Sequence, residues 1–87
     1  MTVATAAAYH EITAAQVSGW SPHTNDIIVC TPYNYDPNNN ASIPASKPNV
    51  KLWSVYDSTL NTNQGGYKIY VSDSSWTGTF YYVIKTA

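Results

Sequence analysis

The chain has 87 residues, with four lysines, no arginine and five acidic side chains, and its formal net charge is −1. These few scattered charges exclude the clustered basic surface on which binding to nucleic acids and to anionic membranes depends, and no apolar run approaches the roughly 20 residues of a membrane-spanning helix. The length predicts one domain, residues 1–87, and the single cysteine excludes an intrachain disulfide.

Aromatic and neutral polar side chains stand out in the composition. Eight tyrosines and three tryptophans accompany many threonines, serines and asparagines, while charged residues make up 10%. Such a composition is typical of the cores of protein–protein interfaces. The N-terminal stretch MTVATAAAYHEIT has neither the basic start nor the long apolar core of a signal peptide, so we expect synthesis in the cytoplasm without export.

The first part of the chain is predicted to be extended. Residues 1–17 form an N-terminal arm or a first strand, because Thr, Tyr and Ile side chains interrupt the alanines that would favour a helix. A helix over residues 4–17 is the alternative that this composition leaves open.

Four later segments have the patterns of β-strands. Residues 26–31 are a short apolar run typical of a fully buried strand, in which Cys30 is expected to be a small buried hydrophobe. Residues 49–56 and 66–72 alternate with a period of two, and the last strand begins after Gly78.

The connections between these strands are rich in turn residues. Residues 57–66 have the composition of a hairpin loop and end on two glycines that tolerate positive φ. Residues 32–48 hold four of the five prolines, so they cannot form a central strand, and so long a loop is usually functional or mobile. The sequence thus predicts an all-β fold, a small antiparallel β-sandwich or barrel of about five to seven strands with one long Pro/Asn-rich loop and a core from residues 24–87.

The sequence contains no complete catalytic or metal-binding motif. His10 and Glu11 begin HEITA, which lacks the second histidine of a helical zinc site. The stretch DPNNN matches the first ligand positions of an EF-hand loop, but Ala41 and Lys47 stand where glycine and glutamate are required. We therefore expect a protein that is not an enzyme and that holds no metal or cofactor.

The last strand carries large apolar groups on both faces. Tyr81 and Val83 lie on one face, and Phe80, Tyr82 and Ile84 lie on the other. A small domain buries only about 60–65% of its unfolded surface, and a lone copy would expose one of these faces. We therefore expect a homo-oligomer, with a trimer favoured. The predicted oligomer interface comprises Tyr70, Phe80, Tyr81, Tyr82 and Ile84. The two-residue period also makes Trp53, Tyr70, Phe80 and Tyr82 candidates for the internal core.

A second group of aromatic residues lies in or beside the predicted loops, where a ring could stack on a sugar or enter a pocket of a partner. The candidate partner- or glycan-binding residues are Trp20, Tyr33, Tyr35, Asn38, Asn39 and Asn40.

The order of strands and turns from TNDIIVCTPYN to GYKIYVSDSSWTGTFYYVIKTA resembles the small terminal β-modules of bacteriophage tail fibres, head fibres and capsid decoration proteins. In those modules a strand ending in V-x-x-TP precedes Y-x-I-x-V, a Ser/Asn/Gly turn and a closing F-x-Y-x-V strand. Val29, Thr31 and Pro32 match the first pattern loosely. Residues 67–71 match the second pattern, and residues 80–84 supply the closing strand. H-type lectin domains have a similar layout.

The resemblance implies a trimeric, virion-associated β-domain. One interpretation is a capsid decoration, cement or head-fibre protein of a phage that works by protein–protein contact, with residues 1–16 and 32–48 gripping the shell. The alternative is a glycan- or receptor-binding, lectin-like tip of a tail fibre.

Overall fold

The computed structural model describes residues 1–3, 7–33 and 50–87, with the backbone alone for Thr2, Val3 and Tyr33. The elements in chain order are β1 (Thr2–Val3), β2 (Tyr9–Ile12), β3 (Ile27–Tyr33), β4 (Leu52–Asp57), the short α1 (Leu60–Asn63), β5 (Gly66–Val71) and β6 (Gly78–Lys85). The prediction of a small antiparallel all-β fold is confirmed, with five strands of four to eight residues and β1 of two residues.

The strands are divided equally between two antiparallel sheets that pack as a sandwich. The first has the order β1-β6-β3 and is called the β6 sheet below, and the second has the order β2-β5-β4 and is called the β5 sheet. Successive side chains along each strand point alternately into the space between the sheets and to the outside. This alternation decides which apolar groups are hidden.

The core between the sheets is apolar and largely aromatic. Trp76 and Phe80 are its largest fully buried side chains. Trp76 lies in the turn before β6, so a connection as well as the strands contributes to the core. The buried cluster consists of Ile12, Trp20, Ile28, Val50, Tyr67, Ile69, Val71, Trp76 and Phe80.

Strand β3 continues beyond the predicted end at residue 31 and includes Pro32. Proline lacks an N–H, and β3 is an edge strand of the described β6 sheet, where the missing donor is tolerated. Pro32 lies opposite Phe80, whose own N–H donates instead to the Met1 carbonyl on the other side of β6. The rest of the long predicted loop, residues 34–48, lies outside the described residues.

The predicted first strand is shorter than expected. Strand β2 ends at Ile12, and a turn follows in which the Gln16 side chain accepts hydrogen bonds from the Thr13 N–H and hydroxyl. Gly66 at the start of β5 lies against this turn. A Cβ on Gly66 would be 2.8 Å from the Ile12 carbonyl oxygen and 2.7 Å from a Thr13 methyl carbon, so only glycine fits here.

The connection from β4 to β5 is a tight left-handed turn rather than a regular helix. Asn61, Thr62 and Asn63 all have positive φ, between 52° and 65°. Asparagine adopts this conformation more readily than other non-glycine residues, which accounts for two of the three positions. Gly65 also has positive φ, and its N–H donates to the Leu60 carbonyl.

Asp26 joins three parts of the fold just before β3. One carboxylate oxygen accepts hydrogen bonds from the Trp20 indole N–H at 3.0 Å and the His23 backbone N–H at 2.9 Å. The other oxygen accepts the backbone N–H of Ala87 at 2.9 Å. Burial of the carboxyl raises its pKa, but these hydrogen bonds act more strongly in the opposite direction, so the pKa of Asp26 lies below its ordinary value. The Tyr67 hydroxyl donates to the backbone carbonyl of Asp26.

We predict that Asp26→Asn lowers the free energy of unfolding by about 1–3 kcal/mol, because an amide cannot accept hydrogen bonds at both of its polar atoms. Chemical denaturation measures the change. Glu11→Gln is the control, because the Glu11 side chain lies on β2 and is exposed to water. Equal stabilities of wild type and Asp26→Asn would contradict the role of this carboxylate.

The Asp26 carboxylate should make the stability of the fold depend on pH. The pKa of Asp26 is lower in the folded than in the unfolded state, so its contribution to stability is complete above the unfolded value of about 4 and is lost as the pH falls through the folded value. The stability difference between wild type and Asp26→Asn should therefore shrink below about pH 4. Denaturation curves recorded from pH 7 down to pH 3 test this, and a difference that grows on acidification would contradict it.

Candidate interaction surface

The outer side of the β6 sheet exposes four large apolar side chains. We call Ile27, Val29, Tyr81 and Val83 the apolar face, and between 54% and 67% of each residue is exposed. Val29 lies directly opposite Val83 in the register of β3 and β6, and Tyr81 lies opposite Thr31. The four side chains are therefore neighbours on one surface. Lys85, opposite Ile27, stands at its rim.

The short apolar run of residues 26–31 predicted a strand buried on both sides, and this prediction is wrong. Ile28 is buried, whereas Ile27 and Val29 point outward and are more than half exposed. Cys30 is half-buried rather than fully buried, and burial raises the pKa of its thiol. The signal that could have identified this surface is the pairing of β3 with β6, which the sequence pattern alone does not specify.

The predicted oligomer interface is divided by the structure between the two sides of β6. Phe80 is completely buried in the chain's own core, which corrects its assignment to the interface. Tyr82 and Ile84 lie on the same inner side and are half-buried. Tyr81 is exposed on the apolar face, and Tyr70 lies on the outer side of the other sheet.

The predicted partner- or glycan-binding group also needs a correction. Trp20 is buried, its indole donates to Asp26, and its ring stacks on Tyr67 with 6.1 Å between ring centroids. Its ring is therefore occupied inside the fold and cannot stack on a sugar. Tyr33 is the last residue of β3. The other members of the group lie outside the described residues: Tyr35, Asn38, Asn39 and Asn40.

A row of three aromatic rings crosses the outer side of the β5 sheet. This aromatic row consists of Tyr9, Tyr70 and Trp53, which lie side by side in the register of β2, β5 and β4. The ring centroids are 5.5 Å apart between Tyr9 and Tyr70 and 5.8 Å apart between Tyr70 and Trp53. Trp53 is 48% exposed, so its interpretation as a core residue is wrong, because its position in β4 points outward.

A pair of opposite charges lies beside the aromatic row at Tyr9. Lys68 donates to Asp57 at 3.0 Å and lies 4.7 Å from the centroid of the Tyr9 ring. Hydrogen bonds from the side chain and backbone of Thr59, and then from Lys68, lower the pKa of Asp57 to about 2. The hydrogen bond to Asp57 raises the pKa of Lys68. Both groups are charged at neutral pH and neutralise each other.

Two shallow grooves lie beside the sheets. The first, of about 470 Å³, is lined by Met1 and by residues 7–11. His10 lies in this groove, and burial lowers its pKa. The second, of about 400 Å³, lies between residues 17–21 and the end of β6 and includes Ile84 and Thr86. Among the described residues, those that line the second groove carry no charge.

Within the described ranges, no three His, Cys, Asp or Glu side chains come together as metal ligands would. No helix in that part of the chain is long and apolar enough to cross a membrane. No protein-family model matches the chain, and neither a curated protein nor a solved structure matches it. The apolar face and the aromatic row are thus the surfaces from which a function can be argued.

A charge placed on the inner side of β6 should lower the free energy of unfolding more than a charge placed on the outer side. Tyr82→Asp should lower the free energy of unfolding by about 1–3 kcal/mol, because it places a carboxylate against Phe80 on the inner side. Tyr81→Asp should change the stability of the single chain by less than about 1 kcal/mol, because its side is open to water. Urea denaturation of both variants at low protein concentration measures these effects. A larger loss for Tyr81→Asp would reverse the assignment of the two sides.

Proposed function

We propose that this chain is a structural protein of a phage particle, a capsid decoration, cement or head-fibre protein that joins other copies of itself through the apolar face. The observation that carries the proposal is that Ile27, Val29, Tyr81 and Val83 are neighbours and are all more than half exposed. Contiguous apolar patches larger than a few hundred Å² are rare on monomeric proteins and mark sites of interaction.

The energy available from the apolar face is substantial for so small a protein. Full burial of one large apolar side chain contributes about 1.5–3 kcal/mol, and each of these residues still exposes more than half of its surface. Four such residues on each of two copies therefore contribute roughly 8 kcal/mol when they are covered. Association costs about 4–15 kcal/mol, so the face drives association but needs the support of further contacts.

The assignment to a phage particle is supported by the pattern of the second half of the chain. The residues that match the Y-x-I-x-V pattern lie in β5, and those that match the closing pattern lie in β6. Low charge and an abundance of Thr, Asn and Tyr agree with the resemblance. The resemblance implies three copies in the virion, and the partners are further copies and a capsid protein.

We predict that Val29→Glu weakens self-association at least tenfold, because a carboxylate in the middle of the apolar face loses its hydration when a second copy covers it. Val55→Glu is the matched control, because Val55 is also a half-exposed valine on the outer side of a strand, but on the β5 sheet opposite Lys68. Sedimentation velocity over a range of concentrations measures both. The same loss in both variants, or in Val55→Glu alone, would show that the apolar face is not the contact.

A second candidate function is glycan binding, as at the tip of a tail fibre. The observation in its favour is the aromatic row, where Trp53 is half exposed and Lys68, paired with Asp57, lies against the ring of Tyr9. Aromatic rings stack on the apolar faces of sugars, and nearby polar groups fix the orientation of a bound ligand.

If the chain binds a glycan there, Trp53→Ala should abolish the signals of the wild type on a glycan array, because the exposed ring is the stacking surface. Val29→Glu, on the other sheet, should keep those signals. An array without signals for the wild type, or one on which Trp53→Ala retains them, would reject this second function.

A further inference from the structure

One histidine lies between the two sheets at the edge of the core. Strand β2 is an edge strand of the described β5 sheet, and along it Tyr9 and Glu11 are exposed while His10 is half-buried. Directly opposite His10 in the register of β2 and β5 is Ile69, which is completely buried. The imidazole also lies against Phe80 of the other sheet, with 6.4 Å between ring centroids and 37° between the ring planes. His10 thus joins β2 to β6 across the core.

The Nε2 atom of this imidazole is shielded from water. It is buried, and within the described ranges no group forms a hydrogen bond with it. A neutral imidazole carries one N–H donor and one acceptor nitrogen, whereas a protonated imidazole carries two N–H donors and a positive charge. The neutral ring therefore leaves one polar atom unpaired, but the protonated ring would bury an N–H group of a cation without an acceptor. The protonated state is the more costly of the two.

The side chains that face His10 from the neighbouring strands offer no negative charge. Ile69 of β5 and Phe80 of β6 are apolar. The other titratable groups on the inner sides of the described strands are not carboxylic acids: Cys30, Tyr56, Tyr67 and Tyr82.

No carboxylate of the described residues forms an ion pair with His10. Glu11 lines the same groove, but it points to the outer side of β2 and is exposed. Asp26 is buried, and its two oxygens accept three hydrogen bonds from elsewhere in the chain. The charged group at Met1, which also lines the groove, is an ammonium that donates to the Phe80 carbonyl, so it opposes a second positive charge.

Burial lowers the pKa of His10 below the ordinary value of about 6.5. The folded chain therefore takes up this proton at a lower pH than the unfolded chain. The stability that depends on the neutral ring is complete above about pH 6.5 and is lost as the pH falls through the folded value. This range is separate from that of Asp26, which lies below about pH 4.

We propose that His10 is a pH-sensitive switch between the two sheets. The neutral ring packs against Phe80 and closes the edge of the sandwich at β2. The protonated ring turns out into the groove of about 470 Å³ that it lines, where water can reach it, and the contact between β2 and β6 opens. Because the switch lies on the inner side of the sheets, it does not depend on the apolar face.

Nuclear magnetic resonance of the unmodified chain tests the charge of the ring. The His10 ring should titrate at a lower pH than the histidine of a short peptide in the same buffer, because burial favours its neutral form. A midpoint equal to or above that of the peptide would overturn the switch.

The opening is measured in the same titration with a soluble paramagnetic compound, which broadens the signals of exposed groups. Phe80 is completely buried in the closed fold, so its ring signals should broaden only as His10 becomes protonated. Ile28 is the control, because it is buried opposite Ile84, towards the other end of β6, and its signals should stay sharp. Sharp Phe80 signals throughout the titration would mean that the ring becomes charged without opening the fold, and they would overturn the switch.

The amino group of Met1 also responds to pH in this range, because burial lowers its pKa. Glycine and serine placed before Met1 replace that amino group by a backbone N–H, which can still donate to the Phe80 carbonyl. In this extended chain the equilibrium constant for unfolding should still rise about threefold or more between about pH 7.5 and about pH 5.5. A constant that does not change would assign the effect to the amino group and overturn the switch.

Substitutions in the extended chain separate the two histidines. His10→Phe keeps an aromatic ring against Phe80 but cannot take up a proton, and His23→Gln is the control, because His23 is exposed. Urea denaturation should show the threefold rise in His23→Gln and a change of less than about 1.5-fold in His10→Phe. His10→Gln, which also has no proton to gain, should match His10→Phe and serves if the phenylalanine does not fit. A rise in the His10 variants as large as that in the parent chain would overturn the inference.

Discussion

The pairing of β3 with β6 determines the surface of this protein. Seven residue pairs hold the two strands in one register, which turns Ile28 and Phe80 inward and turns Val29 and Val83 outward. A shift by one residue would expose Phe80 and bury its neighbours, and the sandwich would lose its largest buried strand residue. The fold is therefore stable only in the register that also leaves apolar groups in water.

The buried core offsets the free-energy cost of leaving these apolar side chains in water. The buried apolar cluster of the described residues and the Asp26 hydrogen bonds hold the two sheets, the turn before β3 and the C-terminal residue together. The resulting sandwich places a connected apolar surface on one sheet and stacked aromatic rings on the other. In a chain with nine charged side chains, few are available to cover either surface. We interpret the apolar surface as the place where the molecule meets other copies of itself.

Much of the fold could be predicted from the sequence, because a two-residue period survives in residues 49–56, 66–72 and 79–86. Which side of each strand is buried could not be predicted in the same way. Trp53 and Phe80 are both large aromatics in alternating strands, yet one is exposed and the other is buried, since the outcome depends on long-range pairing. Trp20 lies next to glycine and serine, residues typical of an exposed loop, yet it is buried and its indole N–H donates a hydrogen bond to Asp26.

We propose that single copies of this polypeptide cover one another's apolar surface. The most direct measurement is the molecular mass of the unmodified chain in solution, by sedimentation equilibrium at micromolar concentrations. We expect a reversible assembly whose mass is a multiple of 9.6 kDa and which dissociates on dilution. A single species of 9.6 kDa at all these concentrations would contradict it.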